Sequence, residues 1–285
     1  MPKTYNDLYI ETRRALRDAG IEAHNLEARL IVAQACGKST EKLLRDLQLY
    51  STSEIDAKVA ELTQRRLRGE PVAYLTNSWE FYGLPLEVTP DVLIPRSDTE
   101  VLVQAALEIL VGNKMDARIL DLCCGSGCIG CAMAKELPAS RVVMLDISKD
   151  ALRVARRNAA ALGVAGRVMC TDADALKAPP MLVGTFDMLL CNPPYIPSGE
   201  ILELDPSVRD YEPIWALDGG EDGLVFYRAV LENWKSVLRP GAWLLFEVGM
   251  GQSADVEKLM EWAGFQDVHS LDDTAGIQRV VCGHI

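Results

Sequence analysis

The residues best suited to chemistry are Asn192-Pro193-Pro194-Tyr195, which close the apolar run Leu189-Leu190-Cys191. Neither proline carries an N–H, and each restricts the residue before it, so the backbone carbonyls are held extended and outside any helix or sheet ladder. Such carbonyls are free to accept hydrogen bonds. Asn192 adds a side-chain carbonyl and Tyr195 a flat ring. Together they suit a planar, neutral group that carries an NH2, such as an amide or an exocyclic amine. Taken alone, the four residues read equally well as a strand followed by a proline-stiffened turn. A second motif upstream tips the balance toward chemistry.

That motif is Ile119-Leu120-Asp121-Leu122-Cys123-Cys124-Gly125-Ser126-Gly127, a buried strand that turns into a helix through glycines. Gly125 and Gly127 let the backbone turn tightly and approach a ligand, and the following helix offers free N–H groups. About twenty residues beyond Gly125, Asp146 ends the second strand, where a carboxylate can accept both ribose hydroxyls of an adenosyl group. The dinucleotide fingerprint needs three glycines at fixed spacing. Here Cys123 stands two positions before Gly125, Gly130 comes too late, and a Walker-type lysine is absent. NAD and ATP are therefore disfavoured, which leaves S-adenosylmethionine, a donor with no phosphate to cradle.

Cys128 and Cys131 have a Cys-x2-Cys spacing and Cys123 and Cys124 lie close by in sequence, which raises a metal site as an alternative. The first pair, however, lies on the predicted helix and the second in the turn that approaches the donor, so packing is the expected role and no metal is expected. The eight cysteines suit a reducing compartment, where a buried thiol acts as a small apolar side chain. Hydrophobic residues make up 49% and charged residues 25%, the balance of a globular chain. No apolar run approaches the roughly 18 residues of a membrane span, and Met1 to Gly20 is charged and helix-patterned rather than signal-like. The expectation is a cytoplasmic monomer without membrane contact. A net charge of −12 argues against direct nucleic-acid binding, which rests mainly on Lys and Arg at phosphates.

These motifs must be positioned by the elements around them. Thr4 to about Arg68 is helix-patterned throughout, with Leu8 and Leu16, then Leu26, Leu30 and Ile31, then Leu43, Leu44 and Leu47, and a capping-box spacing at Ser51 to Glu54. Residues 1–70 are expected to form a small substrate-docking domain. Residues 71–97 read as a hairpin linker, and Ser97-Asp98-Thr99-Glu100 as the cap of a helix running to about Val111. The remainder, 98–285, alternates strand and helix. Strands are expected at 118–122, 141–145, 167–170, 186–191, 242–248, 265–270 and 278–282, and helices near 128–136, 149–162, 222–238 and 253–262. This order predicts a mostly parallel sheet covered on both faces. Ligands in such sheets sit at the carboxyl ends of the strands where the strand order reverses. If the first and fourth strands are neighbours there, the glycine turn and Asn192 to Tyr195 open onto one pocket.

Phe81 with Leu84-Pro85-Leu86, Leu93-Ile94-Pro95-Arg96, Asp121 to Gly127, Asp146-Ile147-Ser148 and Asn192-Pro193-Pro194-Tyr195-Ile196 resemble the bacterial protein-(glutamine-N5) methyltransferases that modify peptide chain release factors. The resemblance covers essentially the whole chain. It implies an α/β fold with a seven-strand, mostly parallel sheet of the Rossmann-like class I methyltransferase type and a small N-terminal helical bundle. It implies S-adenosylmethionine as donor, S-adenosylhomocysteine as product, and the glutamine of a Gly-Gly-Gln loop as acceptor. On this likeness Asn192, Pro193, Pro194 and Tyr195 hold the acceptor amide and carry catalysis, with Phe81 walling the pocket. Cys123, Cys124, Gly125, Ser126, Gly127, Asp146, Asp172, Ala173 and Asn192 surround the donor. The chain departs from the family at Cys123 and Cys124, where glycine and threonine are common, at Ser97, where proline is usual, and at Ala173, where some members have an aromatic. A ribosomal-protein glutamine, an exocyclic amine of a nucleic acid, and a non-enzymatic adenosyl-binding module are the competing readings. Neither Arg96 nor Glu247 receives a role from the sequence.

Overall fold

The computed structural model describes residues 2–285, and these form two compact units, one of residues up to Ser78 with Asp205–Tyr211 and one of Trp79–Leu204 with Glu212–Ile285. The first is helical: α1 (Tyr5–Asp18), α2 (His24–Cys36), α3 (Thr40–Arg45), α4 (Ser53–Leu67) and α5 (Val72–Thr76). A capping box starts α1, in which the Asp7 N–H donates to Thr4 Oγ1 at 3.1 Å and the Thr4 N–H donates to the Asp7 carboxylate at 2.9 Å. Leu8, Leu16, Ile31, Leu43 and Leu62 are buried between the helices, while Leu26 and Leu44 face solvent. The Arg66 guanidinium grips the Glu27 carboxylate with two N–H groups, at 2.6 and 3.2 Å. At the start of α4 the cap is Thr52, which accepts the Ile55 N–H; Ser51 instead donates to the Lys3 carbonyl.

The second unit opens on a hairpin of β1 (Trp79–Phe81) and β2 (Leu84–Leu86), whose turn residues Tyr82 and Gly83 both have positive φ, as a tight hairpin needs. Then follow α6 (Thr99–Leu110), β3 (Arg118–Leu122), α7 (Cys128–Glu136), β4 (Arg141–Asp146), α8 (Lys149–Ala161), β5 (Val168–Asp172) and β6 (Phe186–Cys191). The short α9 (Pro206–Arg209) falls in the segment that belongs to the first unit. Next come α10 (Val225–Asn233), β7 (Leu238–Glu247), α11 (Ser253–Trp262), β8 (Gln266–Asp272) and β9 (Gln278–His284). Seven strands form one sheet in the order β5-β4-β3-β6-β7-β9-β8. The strands from β5 to β7 run parallel, and β9 is antiparallel to both β7 and β8.

The predicted strands and their mostly parallel arrangement are observed, with β3 and β6 adjacent where the order reverses. Helices α6, α7 and α8 pack one face through residues such as Leu102, Ile129 and Leu152, and α10 and α11 pack the other through Tyr227, Val230 and Val256. The expected helix at 222–238 is shorter. Asp222 accepts the Leu224 N–H in a turn, the fully buried Trp234 ends α10 with its indole N–H on the Ala175 carbonyl, and β7 already begins at Leu238. The cap expected at Ser97 to Glu100 is also absent. Asp98 makes no side-chain cap and pairs with Arg279 at 3.1 Å, and Glu100 accepts the Tyr82 N–H at 2.7 Å. Among the described residues no helix is long and apolar enough to cross a membrane.

Candidate functional site

Immediately after β3 the backbone enters the left-handed region at Cys123 (φ 62°), Gly125 (φ 53°) and Gly127 (φ 77°). Glycine adopts this region freely, whereas a cysteine there costs roughly 1–2 kcal/mol. Gly127 begins α7 with no room for a side chain, since a Cβ would lie 2.9 Å from Met144 Sδ and 3.0 Å from Ala155 Cβ. The turn is pinned to the end of β4, where the Asp146 carboxylate accepts the Gly125 N–H at 2.8 Å and the Ser148 N–H at 2.9 Å. Each carboxylate oxygen keeps a further lone pair for a ligand. From behind, the Asn158 amide on α8 donates to the Ser126 carbonyl at 2.9 Å and to the Glu87 carbonyl at 3.0 Å.

The Asn192 stretch leaves the neighbouring strand at the same level, because Leu122 lies opposite Cys191. Asn192 Nδ2 donates to Thr99 Oγ1 at 3.4 Å. Among the described residues, no N–H or hydroxyl donates to the backbone carbonyls of Asn192, Pro193 or Pro194. Beyond them the chain is clamped from two other segments. Gln252 Nε2 donates to the Tyr195 carbonyl at 2.8 Å, while Gln252 Oε1 accepts the Gly249 N–H at 2.9 Å. The Ile196 N–H donates to the Leu217 carbonyl at 3.0 Å, and the Gly219 N–H to the Ile196 carbonyl at 2.8 Å. Only glycine fits alongside: a Cβ on Gly219 would lie 2.7 Å from Tyr195 Cα, and one on Gly223 (φ 73°) 2.4 Å from the Tyr195 oxygen. The sequence reading missed Gly219, Gly223, Gln252 and Thr99. The glycine cluster Gly219-Gly220 with Gly223 is the signal that could have exposed the clamp.

Between the two motifs lies a cavity of about 230 Å³. Cys123, Cys124, Gly125, Ser126, Asp146, Ala173, Asn192 and Pro194 stand on its wall, so the structure brings together most of the predicted donor site with part of the acceptor site. Gly127 lies behind the wall, and Asp172 is exposed and off the lining, where Asp174 stands instead. A second hollow of about 530 Å³ holds Tyr195 together with Trp79, Arg96, Asp98 and Arg279. Phe81 lines neither. It is only 1% exposed and packed in the core under β1, because strand alternation turns Trp79 and Phe81 together and the hairpin's inner end buries Phe81. Pro193 is buried and lines neither hollow. Pro95 is common to both, and its loop is fixed by Glu212, which accepts the Ile94 N–H at 3.1 Å and pairs with Arg96.

Burial governs the titratable groups around the cavity. It pushes Asp121 up to about 7, against the pull of the Gly130 N–H, and Glu247 up to about 7, against the Thr99 hydroxyl and the Arg279 charge. Asp146 is raised by burial as well, against the N–H groups of Ser148 and Gly125. Cys128 is pushed up to about 12 by burial and stays a thiol. All eight cysteines are free, and among the described residues no group of three or more His, Cys, Asp or Glu could hold a metal ion. Among the described residues, three buried side-chain oxygens near the turn and the end of β7 lack a partner: Asp121 Oδ1, Ser126 Oγ and Glu247 Oε2. Ser126 is on the cavity wall, so its unpartnered hydroxyl suits a polar ligand such as S-adenosylmethionine there.

The family description Methyltransferase small domain matches residues 98–203, and PrmC N-terminal domain matches residues 7–76. Among solved structures, a methyltransferase from Pyrococcus furiosus is 16% identical with a TM-score of 0.51, covering 79% of this chain and 98% of its own, a likeness of fold. A release factor glutamine methyltransferase of Geobacter sulfurreducens is 40% identical over 274 residues, 96% of this chain and 94% of the relative. One of the same description from Bradyrhizobium diazoefficiens is 39% identical over 272 residues, 93% of this chain and 90% of the relative. With such identity over nearly its full length, the chain belongs to the release factor glutamine methyltransferase family.

Proposed function

We propose that this protein transfers a methyl group from S-adenosylmethionine to the side-chain amide nitrogen of the glutamine in a release factor's Gly-Gly-Gln loop. The observation that carries this reading is the row of backbone carbonyls at Asn192, Pro193 and Pro194 with no donor, beside a cavity walled on its other side by the glycine turn and Asp146. Family membership supports the same chemistry.

The donor supplies an electrophilic methyl group on a sulfonium. Asp146 would take the ribose hydroxyls, and the apolar wall of Ile147, Ala173, Leu176 and Phe226 would take the base. An amide nitrogen is a poor nucleophile, because its lone pair is delocalised into the carbonyl. The enzyme's contribution is therefore orientation, for which roughly 7–11 kcal/mol is available in favourable cases. Asn192 Oδ1 and the Pro193 carbonyl would accept the two amide hydrogens, and their dipoles would stabilise positive charge growing on nitrogen. Tyr195 and Trp79, in the adjoining hollow, would flank the amide.

The helical unit would dock the protein substrate, since it is a compact unit with its own core. The acidic net charge of −12 favours a protein over a nucleic acid as acceptor. Incubation with labelled S-adenosylmethionine and release factors, followed by mass spectrometry of the modified peptide, tests the whole reading. A label on a ribosomal protein or on nucleic acid, and none on the Gly-Gly-Gln glutamine, would overturn it.

A further inference from the structure

Glu247 ends β7, is 2% exposed, and leaves Oε2 without a partner among the described residues. Its neighbour across the sheet is set by register. Cys191 lies opposite Phe246, so the next residues, Asn192 and Glu247, stand side by side and point to the same face. Two residues earlier on each strand, Leu190 and Leu245 pack on that face with Leu102 and Val103 of α6. Thr99, the first residue of α6, is 1% exposed and completes the group. Its Oγ1 accepts from Asn192 Nδ2 at 3.4 Å, and its own hydroxyl proton remains free to be given to the neighbouring Glu247 carboxyl, whose proton affinity Thr99 lowers.

A threonine hydroxyl has one proton to give, and an ionised carboxylate can only accept. When Glu247 takes that proton, Thr99 Oγ1 is left as an acceptor, so Asn192 turns its NH2 inward and its oxygen toward the cavity. When the proton is not taken, Thr99 can donate to Asn192 Oδ1 instead. The amide then reverses and would present NH2 to an NH2. We propose that Glu247 is a positioning residue that acts through Thr99 to keep the Asn192 oxygen facing the acceptor amide.

This proposal rests on the acceptor role given to Asn192 above. Other titratable groups near Glu247 are Asp98 at the start of α6, Arg279 on β9, Tyr195 beyond β6 and Cys128 on α7, with Tyr227 of α10 on the opposite face, where its hydroxyl donates to the Glu247 backbone carbonyl. Arg279 favours the charged carboxylate, and burial and Asp98 oppose it.

The test is a set of single-turnover rates on a Gly-Gly-Gln peptide, with donor affinity measured by calorimetry on the same samples. A glutamine at 247 can accept from Thr99 or donate to it, so Glu247→Gln should lower kcat by about 10- to 100-fold, less than loss of a whole preorganised group. Donor affinity should stay within about threefold. Thr99→Val should cost a similar factor, the double variant little more than either, and Thr99→Ser should restore most of the rate. In an Asn192→Asp background both ends of the side chain are oxygens, so Glu247→Gln should then cost less than about threefold. A Glu247→Gln enzyme with wild-type kcat, or one that loses the same factor in both backgrounds, would overturn the proposal. Should that variant fail to bind donor, Thr99→Val carries the same comparison. A wild-type enzyme that leaves the peptide unmethylated would refute the function reading itself, a distinct result.

Discussion

The glycine turn after β3 and the Asn192 to Tyr195 stretch after β6 end neighbouring strands, yet they are held in different ways. The turn is secured by groups close to it in the chain: Gly127 against Met144 and Ala155, and Gly125 on the Asp146 carboxylate. The proline stretch is held by the 217–223 segment and also from much farther away, by Thr99 and by Gln252. The first arrangement preorganises a binding surface out of local backbone; the second aims a few carbonyls with contacts imported from much of the fold. The two should therefore fail separately, the first in donor affinity and the second in rate.

Replacing Asn192 should show the largest effect. Asn192→Ala removes the acceptor for one amide hydrogen and should slow methyl transfer by roughly 10²–10³. Donor affinity should move by less than about tenfold, because the turn and Asp146 contacts remain. Asn192→Asp, which keeps an acceptor of similar shape, should retain more activity. A fully active Asn192→Ala enzyme would reduce the stretch to a proline turn.

Glycine substitutions divide the two regions more finely. In Gly223→Ala the new Cβ would meet the Tyr195 oxygen at 2.4 Å and Gln252 Nε2 at 2.5 Å. A displacement of the stretch by even 1 Å costs about a hundredfold in rate, and donor affinity should be spared. Gly127→Ala should do the reverse and weaken donor binding first. Donor titration and single-turnover rates on both would erase the contrast if each variant lost the two properties together.

A smaller loss is expected at Asp146. Asp146→Ala should weaken donor binding by about 1.5–3 kcal/mol, the range for hydrogen bonds to charged groups. Calorimetry showing unchanged affinity would remove Asp146 from the donor site and leave it as the pin of the turn.

The smallest effect concerns stability alone. Burial raises the Asp121 carboxyl from 3.8 to about 7, so the folded chain holds this proton more tightly than the unfolded chain. The resulting stabilisation is full below the unfolded value and is lost as pH rises through the folded one. Asp121→Asn, which keeps an acceptor for the Gly130 N–H, should therefore flatten the fall of Tm between pH 5 and 8 and raise Tm at the upper end. An unchanged slope would show that Asp121 does not titrate in that window.

The same contrast explains what could be read in the sequence. The strands, their parallel order and the β3–β6 switch were legible, because buried strands alternating with amphipathic helices leave few arrangements. The glycine turn and Asp146 were legible too, their partners being adjacent elements. Thr99 and Gln252 were not, because each becomes meaningful only through a contact with a residue far along the chain, and Gly219 and Gly223 were not, because they lie in an irregular segment whose path no periodicity sets. Phe81 was misplaced for a related reason. Alternation gives the face of a strand but does not say which residue of a short hairpin ends in the core.

The helical unit is also discontinuous in sequence, since Asp205–Tyr211 belongs to it and the Tyr211 hydroxyl donates to the Arg68 carbonyl at 3.1 Å. During synthesis, the first unit to emerge is then the one that must wait to be finished. About 130 further residues separate Ser78 from Tyr211, roughly ten seconds at translation rates of about 5–20 residues per second. Most of the sheet, from β3 to β6, is made in that interval. The helical unit is thus completed only after four strands of the sheet have been made, and a product truncated before residue 205 carries a helical unit without its last segment and without the Tyr211–Arg68 bond.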